Sequence, residues 1–454
     1  MYYITTLLSL LTSLTFAGIV NSSEDSSEVN PPKPAWGYEN RLHRNEFMSY
    51  TIRSNAASGN RDEEWNYIPV ENWRSELRED GTKIYYGEVV FPEFWADRIA
   101  IIHTEGGRNS HKVYVNDRVA GTSRDSGTPS EFEIKSFRAG GMNSIRIEIP
   151  RDTPEPESAL NNDREDISLC YVYSQPRTRI VDFDIATQLN GDEGKLTVSM
   201  IIENDYSSEE SFTVCYDVFS PSGQVEEFLS TEITLAGNSR DTVSMTATIY
   251  GAGKHKWSAA KPELYMVTMF LRKGRRVLEY IPVKTGFGTT GFGNGEIYRN
   301  DEPVNIKAVK YNAKDPSSLR SDIARLKKAG YNTFLPDYPQ PYWFYEACDE
   351  RGMYVIDRVN INSNYEIGNP RKGGCLSNDP SWLGEYIERT EATYFRTRNH
   401  PCIIGWSLGG DSGNGYNMYK TYVRMHELDP HRAVIYEGAG QEWNTDVVIS
   451  AQTE

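Results

Sequence analysis

The stretch Asp379-Pro-Ser-Trp-Leu-Gly-Glu-Tyr-Ile-Glu-Arg-Thr-Glu-Ala-Thr-Tyr-Phe-Arg-Thr-Arg398, followed closely by Cys402-Ile-Ile-Gly-Trp406, predicts one helix and then one short buried strand. Asp379 is a typical N-cap residue and Pro380 fits the first helical position, so we expect the helix to begin there and run to about Arg398. The apolar run after it has the residue types of a buried strand. A helix alternating with a buried strand is the repeating unit of a parallel α/β fold.

Units of the same kind recur from about Asn305 to the end of the sequence. Six short strands are predicted, beginning at Asn305, Asn332, Met353, Cys402, Ala433 and Val447. Repeated strand and helix units predict a (β/α)₈ TIM-type barrel, with its chemistry at the carboxyl ends of the strands. Because such a barrel closes with eight strands, we expect this one to be incomplete, or to be completed by a complementing chain or by self-association.

The region before the barrel is predicted to be all β. Up to about residue 178, alternating runs such as Lys83–Phe91 and Ser144–Ile149 are separated by Gly, Asn and Asp turns, which indicates an antiparallel jelly-roll sandwich. A second block of about a hundred residues with similar runs suits an immunoglobulin-like sandwich. We therefore assign residues 23–178 to a jelly roll, 179–288 to an immunoglobulin-like sandwich and 289–454 to the incomplete barrel.

Residues 1–22 are predicted to be a signal peptide. The apolar stretch from Ile4 to Val20 has the length of a signal-peptide core rather than of a membrane span, although no Lys or Arg precedes Lys33. No later segment is apolar enough to cross a bilayer. We expect an exported, soluble protein in the periplasm or outside the cell.

Charge and residue spacing exclude several classes of function. The net charge of −16, from 64 acidic and 48 basic residues, argues against nucleic-acid binding. The five cysteines lack the spacing of a zinc or redox site and are predicted to be packing residues, so no metal or other cofactor is expected. His103, His111, His255 and His426 are predicted to be satisfied surface or core residues rather than ligands.

The segment Trp406-Ser407-Leu408-Gly409-Gly410-Asp411-Ser412 resembles the acid/base strand of glycoside hydrolase family 2, which includes β-galactosidases and β-glucuronidases. In that family the segment typically reads W-S-L-G-N-E-S, where the Glu donates a proton to the glycosidic oxygen and the Asn holds the sugar. Gly410 and Asp411 occupy those two positions here. The resemblance extends over nearly all of the chain, and the family has the same order of jelly roll, immunoglobulin-like domain and barrel.

The resemblance implies an altered catalytic site. A retaining glycosidase needs two carboxyl groups about 5 to 5.5 Å apart. The side chain of Asp411 is one methylene shorter than Glu, which withdraws the proton by roughly 1.5 Å. The nucleophilic Glu of the family lies on the seventh barrel strand, and no equivalent is found in this sequence. Where β-galactosidases read D-E-A-N-I-E-T-H, residues 357–364 lack the Glu and His that bind magnesium in those enzymes, so a magnesium site is not expected.

Several polar and aromatic residues at predicted strand ends are candidates for binding a β-glycoside. Asp411 is the degenerate catalytic position, and the candidate substrate-binding residues are Asp337, Asn360, Trp406, Gly410 and Glu437. For two of them an alternative role is open, with Trp406 packing at the barrel end and Glu437 pairing with Arg358 or another cation. Asp357 is expected to belong to the scaffold.

Three functions remain open from the sequence. The first is a catalytically degenerate family 2 protein that keeps a role in carbohydrate binding or assembly. The second is an active retaining β-glycosidase whose barrel and nucleophile come from a partner chain. The third is an adhesive or scaffold protein that does not bind carbohydrate, since a fold does not determine a function.

Overall fold

The computed structural model describes residues 40–61, 65–106, 110–125, 127–150, 167–369 and 371–453. The predicted signal peptide and the proline-containing linker after it lie outside these residues. Within them, every helix is too short or too polar to cross a bilayer.

The first domain is a sandwich of two antiparallel sheets, as the alternating sequence pattern predicts. One sheet has the order β1-β9-β4-β7 and the other the order β2-β3-β8-β5-β6. Asn116 and Asp117 both have positive φ (48° and 60°) in the tight turn between β5 and β6, which suits a two-residue hairpin. A short helix precedes the strands, and the bounds are α1 Arg53–Ser58, β1 Tyr67–Pro69, β2 Arg74–Leu77, β3 Lys83–Val90, β4 Arg98–Gly106, β5 His111–Val115, β6 Arg118–Ser123, β7 Ser130–Ile134, β8 Met142–Ile149 and β9 Ile167–Pro176.

The second domain packs a three-stranded sheet, β10-β11-β14, on a four-stranded sheet, β13-β12-β15-β16. Inward-facing residues alternate along the long strands, and those of β11 (Leu196, Val198, Met200 and Ile202) are fully buried. This burial of every second side chain accounts for the immunoglobulin-like pattern. The strands are β10 Thr178–Asn190, β11 Glu193–Asn204, β12 Glu210–Phe219, β13 Val225–Leu235, β14 Ser239–Tyr250, β15 Tyr265–Lys273 and β16 Arg276–Thr285.

The third domain contains a parallel sheet in the order β24-β23-β22-β21-β20-β25, with helices between the strands. A small antiparallel sheet of β17 Thr290–Gly293, β18 Glu296–Arg299 and β19 Glu302–Pro303 leads into it. The parallel strands are β20 Ala308–Lys310, β21 Thr333–Leu335, β22 Tyr354–Arg358, β23 Ile403–Ser407, β24 Ala433–Ile435 and β25 Ala451–Thr453. The helices are α2 Pro316–Lys328, α3 Tyr342–Arg351, α4 Leu383–Thr397 and α5 Tyr416–Leu428, and 3₁₀ turns occur at Glu93–Asp97, Ala252–His255, Leu376–Asn378, Pro380–Trp382 and Glu437–Ala439.

The helix starts and ends follow from the capping residues of the sequence. Asp379 accepts a hydrogen bond from the backbone N–H of Ser381 and caps the 3₁₀ turn that leads into α4. Asp315 caps α2 in the same way, and Gly330, with φ +94°, follows its last residues. The helix predicted from Asp379 to about Arg398 is therefore confirmed, with a 3₁₀ first turn before the α-helix begins at Leu383.

The sixth strand is the one element that the sequence analysis placed wrongly. Val447 to Ser450 are not a strand; the strand is β25, and it pairs in parallel with β20 rather than with β24. The reason lies at the edge of β24, where Val434 accepts a hydrogen bond from the Asp446 N–H (2.8 Å) and donates one to the Asp446 carboxylate (2.6 Å). Because Asp446 already bonds to the N–H and the carbonyl of Val434 at this edge, the residues after Asp446 do not pair with β24 and continue past it.

An extended segment, residues 41–50, joins the three domains. The backbone N–H of Leu42 donates to the carbonyl of Glu131 in the jelly roll (3.0 Å), and the N–H of Asn45 donates to Asp182 in the second domain (3.0 Å). The Arg396 side chain of α4 donates to Glu46 of the segment (2.8 Å). The segment has no regular hydrophobic period, so its joining role could not be predicted from the sequence.

Candidate functional site

The carboxyl ends of the parallel strands meet at one edge of the sheet, where polar residues collect. Arg358 ends β22 and pairs in register with Ser407, which ends β23. Asp337 follows β21, Asp411 follows β23 and Glu437 follows β24. We call these five residues the barrel mouth. Ligands of (β/α) barrels bind at this end of the strands.

Arg358 lies between two carboxylates of the barrel mouth. Its side chain is 4% exposed, and its guanidinium nitrogens lie 3.5 Å from an oxygen of Asp337 and 3.7 Å from one of Glu437. Its Nε donates a hydrogen bond to Ser407 (3.4 Å). Burial lowers the pKa of Arg358, and the charges of Glu437 and Asp337 oppose that shift. The pairing of Glu437 with Arg358 is the alternative that the sequence analysis left open.

Asn312 supports Asp337 from the end of the neighbouring strand. The Asn312 amide donates to the Asp337 carboxylate (2.8 Å), and the Asp337 backbone N–H donates to the Asn312 side-chain oxygen (2.9 Å). Two hydrogen bonds and one ion pair therefore orient Asp337, whose side chain is still 47% exposed. An exposed, oriented carboxylate is a suitable acceptor for a sugar hydroxyl.

A tight loop follows β23 and presents Asp411. Gly409 has φ +134°, and a Cβ there would lie 2.3 Å from the carbonyl oxygen of Ile361. The next N–H, of Gly410, donates to that carbonyl (2.7 Å), and Ser412 Oγ accepts from the backbone of Ser363 (2.9 Å). The loop is thus attached to the segment after β22 by the Gly410 N–H and the Ser412 hydroxyl, and the close approach of the two segments requires glycine at position 409.

Asp411 itself is exposed to solvent. Within the part of the chain that the structure describes, its carboxylate has no hydrogen-bond or ion-pair partner. Its negative charge adds to the effect of burial in raising the pKa of Tyr436. The Tyr436 hydroxyl accepts from the Ser412 N–H (3.3 Å) and donates to the carbonyl of Gly413. Tyr436 therefore connects the Asp411 loop to the end of β24.

Trp406 was a candidate substrate contact, but its side chain lies in the core. The indole is fully buried, donates to Asp429 (2.9 Å) and packs near the Tyr394 ring of α4 (5.7 Å between centroids). Side chains of a strand alternate between its two faces, and the next residue, Ser407, faces Arg358. Trp406 must therefore face the helix layer and not the interior of the barrel.

Asn360 is likewise placed away from solvent, at the junction with the jelly roll. Its amide donates to the Asp125 carboxylate (2.6 Å), and its carbonyl accepts from Arg389 of α4 (2.7 Å). Arg389 also donates to the carbonyl of Arg124 (2.9 Å). Asn360 therefore holds the jelly-roll loop against the barrel, a role that depends on a contact between residues far apart in sequence.

Asp357 belongs to the scaffold, as predicted. It is fully buried and accepts hydrogen bonds from the hydroxyls of Tyr345 and Thr397, each at 2.7 Å. Burial raises its pKa, and the two hydroxyls partly offset the rise. A buried carboxylate with both oxygens bonded to the surrounding helices fixes β22 and is not available to a ligand.

The positions that bind magnesium in β-galactosidases do not fit a hard cation here. Asn362 and Asn364 lie in that segment, and Asp411 is the single carboxylate on the loop opposite them. The side-chain oxygen of Asn362 would lie 2.6 Å from a Cβ at Gly410, so it fills the space beside the loop. Magnesium sites are built on carboxylates, and this donor set supplies too few of them.

Another cluster, of Glu46, His103 and Glu105, brings three metal-type ligands together. The ring of His103 already contacts two carboxylates, with Nδ1 3.2 Å from Glu131 and Nε2 3.1 Å from Glu105. Burial alone would lower the pKa of His103, but the hydrogen bonds to Glu105 and Glu131 outweigh it and raise the pKa to about 10. The cluster is therefore an ion-pair junction around a protonated histidine.

This junction makes stability depend on pH above neutrality. A histidine whose pKa is raised on folding contributes stability that is fully present below its unfolded pKa of about 6.5 and is lost as the pH rises through about 10. We expect the free energy of unfolding to fall by at most about 1.4 kcal/mol per pH unit between pH 7 and 9.5. Urea unfolding at several pH values measures this slope. The variant His103→Gln should flatten it and His255→Gln, at an exposed histidine, should not; an unchanged slope in His103→Gln would contradict the assignment.

The site contains residues that sequence reasoning did not select. Asn312 and Tyr436 orient Asp337 and the Asp411 loop, and Arg358 was considered only as a partner of Glu437. The available signal was position, because each of the three lies at or just after the end of a predicted strand. Their side-chain types gave no sign of which would face the barrel interior.

Three family models match consecutive parts of this chain. "Glycosyl hydrolases family 2, sugar binding domain" matches residues 66–176, "Glycosyl hydrolases family 2" matches 178–287, and "Glycosyl hydrolases family 2, TIM barrel domain" matches 306–453. The chain belongs to glycoside hydrolase family 2. The resemblance seen in the segment after Trp406 and the predicted fold class are both confirmed.

Curated relatives of this family 2 chain are β-galactosidases. The β-galactosidase of Priestia megaterium is 29% identical over 368 residues, covering 76% of this chain and 35% of the relative. That of Psychromonas ingrahamii is 26% identical over 406 residues, covering 84% and 38%. The chain therefore spans little more than a third of the length of these relatives.

Solved structures share the family 2 fold. A β-glucuronidase of Bacteroides uniformis matches with a TM-score of 0.69 at 18% identity, covering 78% of this chain and 46% of that one. A β-D-glucuronidase of Dictyoglomus thermophilum matches with a TM-score of 0.66 at 17% identity, covering 82% and 72%. At 17 to 18% identity, these matches show a shared fold and nothing further.

Proposed function

We propose that this family 2 chain binds a β-glycoside at the barrel mouth and does not hydrolyse it with the residues described here. The observation that carries the proposal is the position of Arg358, which contacts both Asp337 and Glu437. Both carboxylates remain partly exposed, at 47% and 38% of their side chains, and can accept hydrogen bonds from sugar hydroxyls.

The same arrangement is unfavourable for hydrolysis. Retaining glycosidases use one carboxyl group as an acid and a second, about 5 to 5.5 Å away, as a nucleophile. Asp337 and Glu437 both contact the guanidinium of Arg358. A carboxylate that is paired with a cation is a weaker nucleophile towards an anomeric carbon. Asp411 is one methylene shorter than the family's Glu, and a displacement of about 1 Å can reduce a rate on the order of a hundredfold.

A second candidate function is hydrolysis of a β-glycoside by a longer protein or an assembly that supplies a nucleophile. Two observations favour it. Asp411, which the sequence resemblance puts at the acid/base position of the family, is exposed, and the β-galactosidase relatives extend well beyond the part matched by this chain. In this second proposal the missing strands come from self-association or from a complementing chain. We also propose export to the periplasm or outside the cell. These points rest on the sequence alone.

The test is turnover of a panel of aryl β-glycosides by the purified chain, together with its melting temperature in the presence of the corresponding free sugars. We expect no turnover above that of Asp411→Ala, and an upward melting shift with at least one sugar, because a ligand of the native state stabilises it by mass action. Asp241→Ala, at an exposed aspartate of the second domain, is the control and should change neither result.

Each alternative gives a different result. Turnover by the wild-type chain that is lost in Asp411→Ala would establish hydrolysis and contradict the main proposal. A melting temperature unchanged by every sugar would contradict carbohydrate binding at the mouth and favour the adhesive function.

A further inference from the structure

A second concave surface lies between the two β-sandwiches, outside the barrel mouth. It has a volume of about 310 Å³ and is lined by residues of both domains, including Phe94 and Asp97 of the first and Tyr206 and Arg276 of the second. Sites for small molecules begin at about 300 Å³ and often form where two domains meet. The cleft is therefore large enough to hold a sugar unit.

Exposed aromatic rings extend from one wall of this cleft. Phe94 is 44% exposed, and Trp65 beside it is 71% exposed, with ring centroids 6.4 Å apart and planes inclined by 58°. Large aromatic side chains are rarely left this exposed next to one another, and an exposed apolar patch beside polar groups marks a binding surface. The C–H faces of a pyranose ring pack well against such rings.

The cleft is also locally cationic on an acidic protein. Arg98, Lys273 and Arg276 line it, against two carboxylates, those of Asp97 and Glu210. The chain as a whole has a net charge of −16. The lining of the cleft thus carries one more cation than carboxylates on an otherwise negative protein, and a local excess of positive charge favours an anionic ligand there.

Both carboxylates of the cleft have partners within it. Lys273 pairs with Glu210, while Asp97 accepts a hydrogen bond from the Tyr206 hydroxyl (2.8 Å) and lies 3.9 Å from Arg177. Burial and the bond to Asp97 together raise the pKa of Tyr206 to about 12, so this hydroxyl stays a donor.

Lys273 pairs with Glu210 and Arg98 donates two hydrogen bonds to Ser174 (2.7 and 2.8 Å), which leaves Arg276 as the third cation of the cleft. In the part of the chain that the structure describes, it has no ion-pair partner, and it is exposed at the start of β16 on the cleft. An arginine offers a planar fork of donors that fits a carboxylate or sulfate group.

We propose that this cleft binds an acidic saccharide, with a sugar ring against Phe94 and Trp65 and its carboxylate or sulfate against Arg276. The site is distinct from the barrel mouth and does not depend on the function proposed there. Its place at the boundary of the domain matched by the family's sugar-binding model favours a saccharide over an acidic peptide.

Calorimetric titration with three hexasaccharides of equal length tests this site. One has alternating uronic acids without sulfate, one has sulfated neutral sugars, and one is neutral β-linked glucose. We expect at least one acidic hexasaccharide to bind, and the neutral hexasaccharide to bind at least tenfold more weakly. The acidic hexasaccharide that binds more tightly identifies the preferred anionic group. Binding should weaken as salt is added, because screening shortens the range of the charges.

Variants separate the two parts of the proposed contact. Arg276→Glu should weaken binding of the acidic hexasaccharide at least tenfold, and Trp65→Ala should weaken it about threefold to tenfold, the effect of losing one aromatic contact. The matched controls are Arg118→Glu, an exposed arginine of the jelly roll away from the cleft, and Tyr250→Ala, a 77% exposed aromatic residue elsewhere. Both should bind as the wild type does, and circular dichroism should show that every variant is folded.

Three outcomes would overturn the proposal. The first is equal binding of all three hexasaccharides or of none. The second is a loss in Arg118→Glu as large as that in Arg276→Glu, which would reduce the effect to the overall charge. The third is binding of hexaglutamate as tight as that of the acidic hexasaccharide, which would identify a peptide surface.

Discussion

Replacing Arg389 with methionine is expected to lower the free energy of unfolding by about 3 to 5 kcal/mol, the cost of leaving a buried charge without its partner. Arg389 is fully buried in α4, and one of its nitrogens lies 3.6 Å from the equally buried Asp125 of the jelly roll. It also donates to the backbone carbonyls of Asn360 and Arg124, at 2.7 and 2.9 Å. Methionine fills a similar volume but supplies none of these donors.

Asp125 explains why the cost should be large. Burial raises the pKa of this carboxyl, and the positive charges of Arg389 and Arg41 more than reverse the shift, so that its pKa lies below the usual value. Without Arg389, the carboxylate stays buried with one cation fewer. The contact joins the jelly roll to the barrel, and its loss should weaken the junction between the two domains.

Urea unfolding of Arg389→Met and wild type, followed by limited proteolysis of the native forms, measures both effects. The matched control is Arg424→Met, since Arg424 of α5 pairs with Glu391 of α4 at 2.8 Å but is 34% exposed. Exposed pairs contribute about 0 to 1 kcal/mol, so this variant should be close to wild type. Similar losses in the two variants would show that the buried junction does not hold the domains together.

Replacing Gly409 with alanine is expected to destabilise the protein by about 2 to 5 kcal/mol and to abolish the sugar-dependent melting shift proposed for the barrel mouth. The backbone of Gly409 has φ +134°, which side-chain-bearing residues rarely adopt. A Cβ there would also lie 2.3 Å from the Ile361 carbonyl oxygen and 2.9 Å from the Ile361 Cβ. The loop must move to relieve this contact, and Asp411 moves with it.

The neighbouring glycine provides the control. A Cβ at Gly410 would meet only the side-chain amide of Asn362, whose oxygen lies 2.6 Å away and can rotate. Gly410→Ala should therefore cost much less and keep the melting shift with sugar. Thermal and urea unfolding of both variants, with and without sugar, test the comparison. If the two alanine variants behaved alike, the strained backbone at position 409 would not be what positions the loop.

The local pattern of the sequence was enough to predict most of the fold. Alternating apolar residues in β3, β8 and β11 and the capping aspartate before α4 act over a few residues, and the structure has strands and a helix at those places. Val447 was misplaced because an apolar run shows that a strand is possible and not which edge it joins. That choice depended on Asp446, whose hydrogen bonds to Val434 close the edge of β24.

The residues of the candidate site also fall into two groups, those that the sequence placed correctly and those whose orientation it could not predict. Asp337, Asp411 and Glu437 follow strands directly, so the topology of a parallel sheet alone brings them to one end. Trp406 and Asn360 also lie near strand ends, but one faces the helix layer and the other faces the jelly roll. Periodicity within one strand cannot show which face meets a domain distant in sequence.

The sequence by itself was enough to predict the three successive domains, because alternation and capping act over short spacings, and its resemblance to the family in the segment from Trp406 put Asp411 at the predicted acid/base position. Only the tertiary structure decided that Arg358 lies between Asp337 and Glu437, that Asn360 and Arg389 bind the jelly roll, and that the two sandwiches form a cationic cleft. The physical reason is that charge pairing and burial depend on distances between side chains that the chain brings together from far apart, and no local pattern carries those distances.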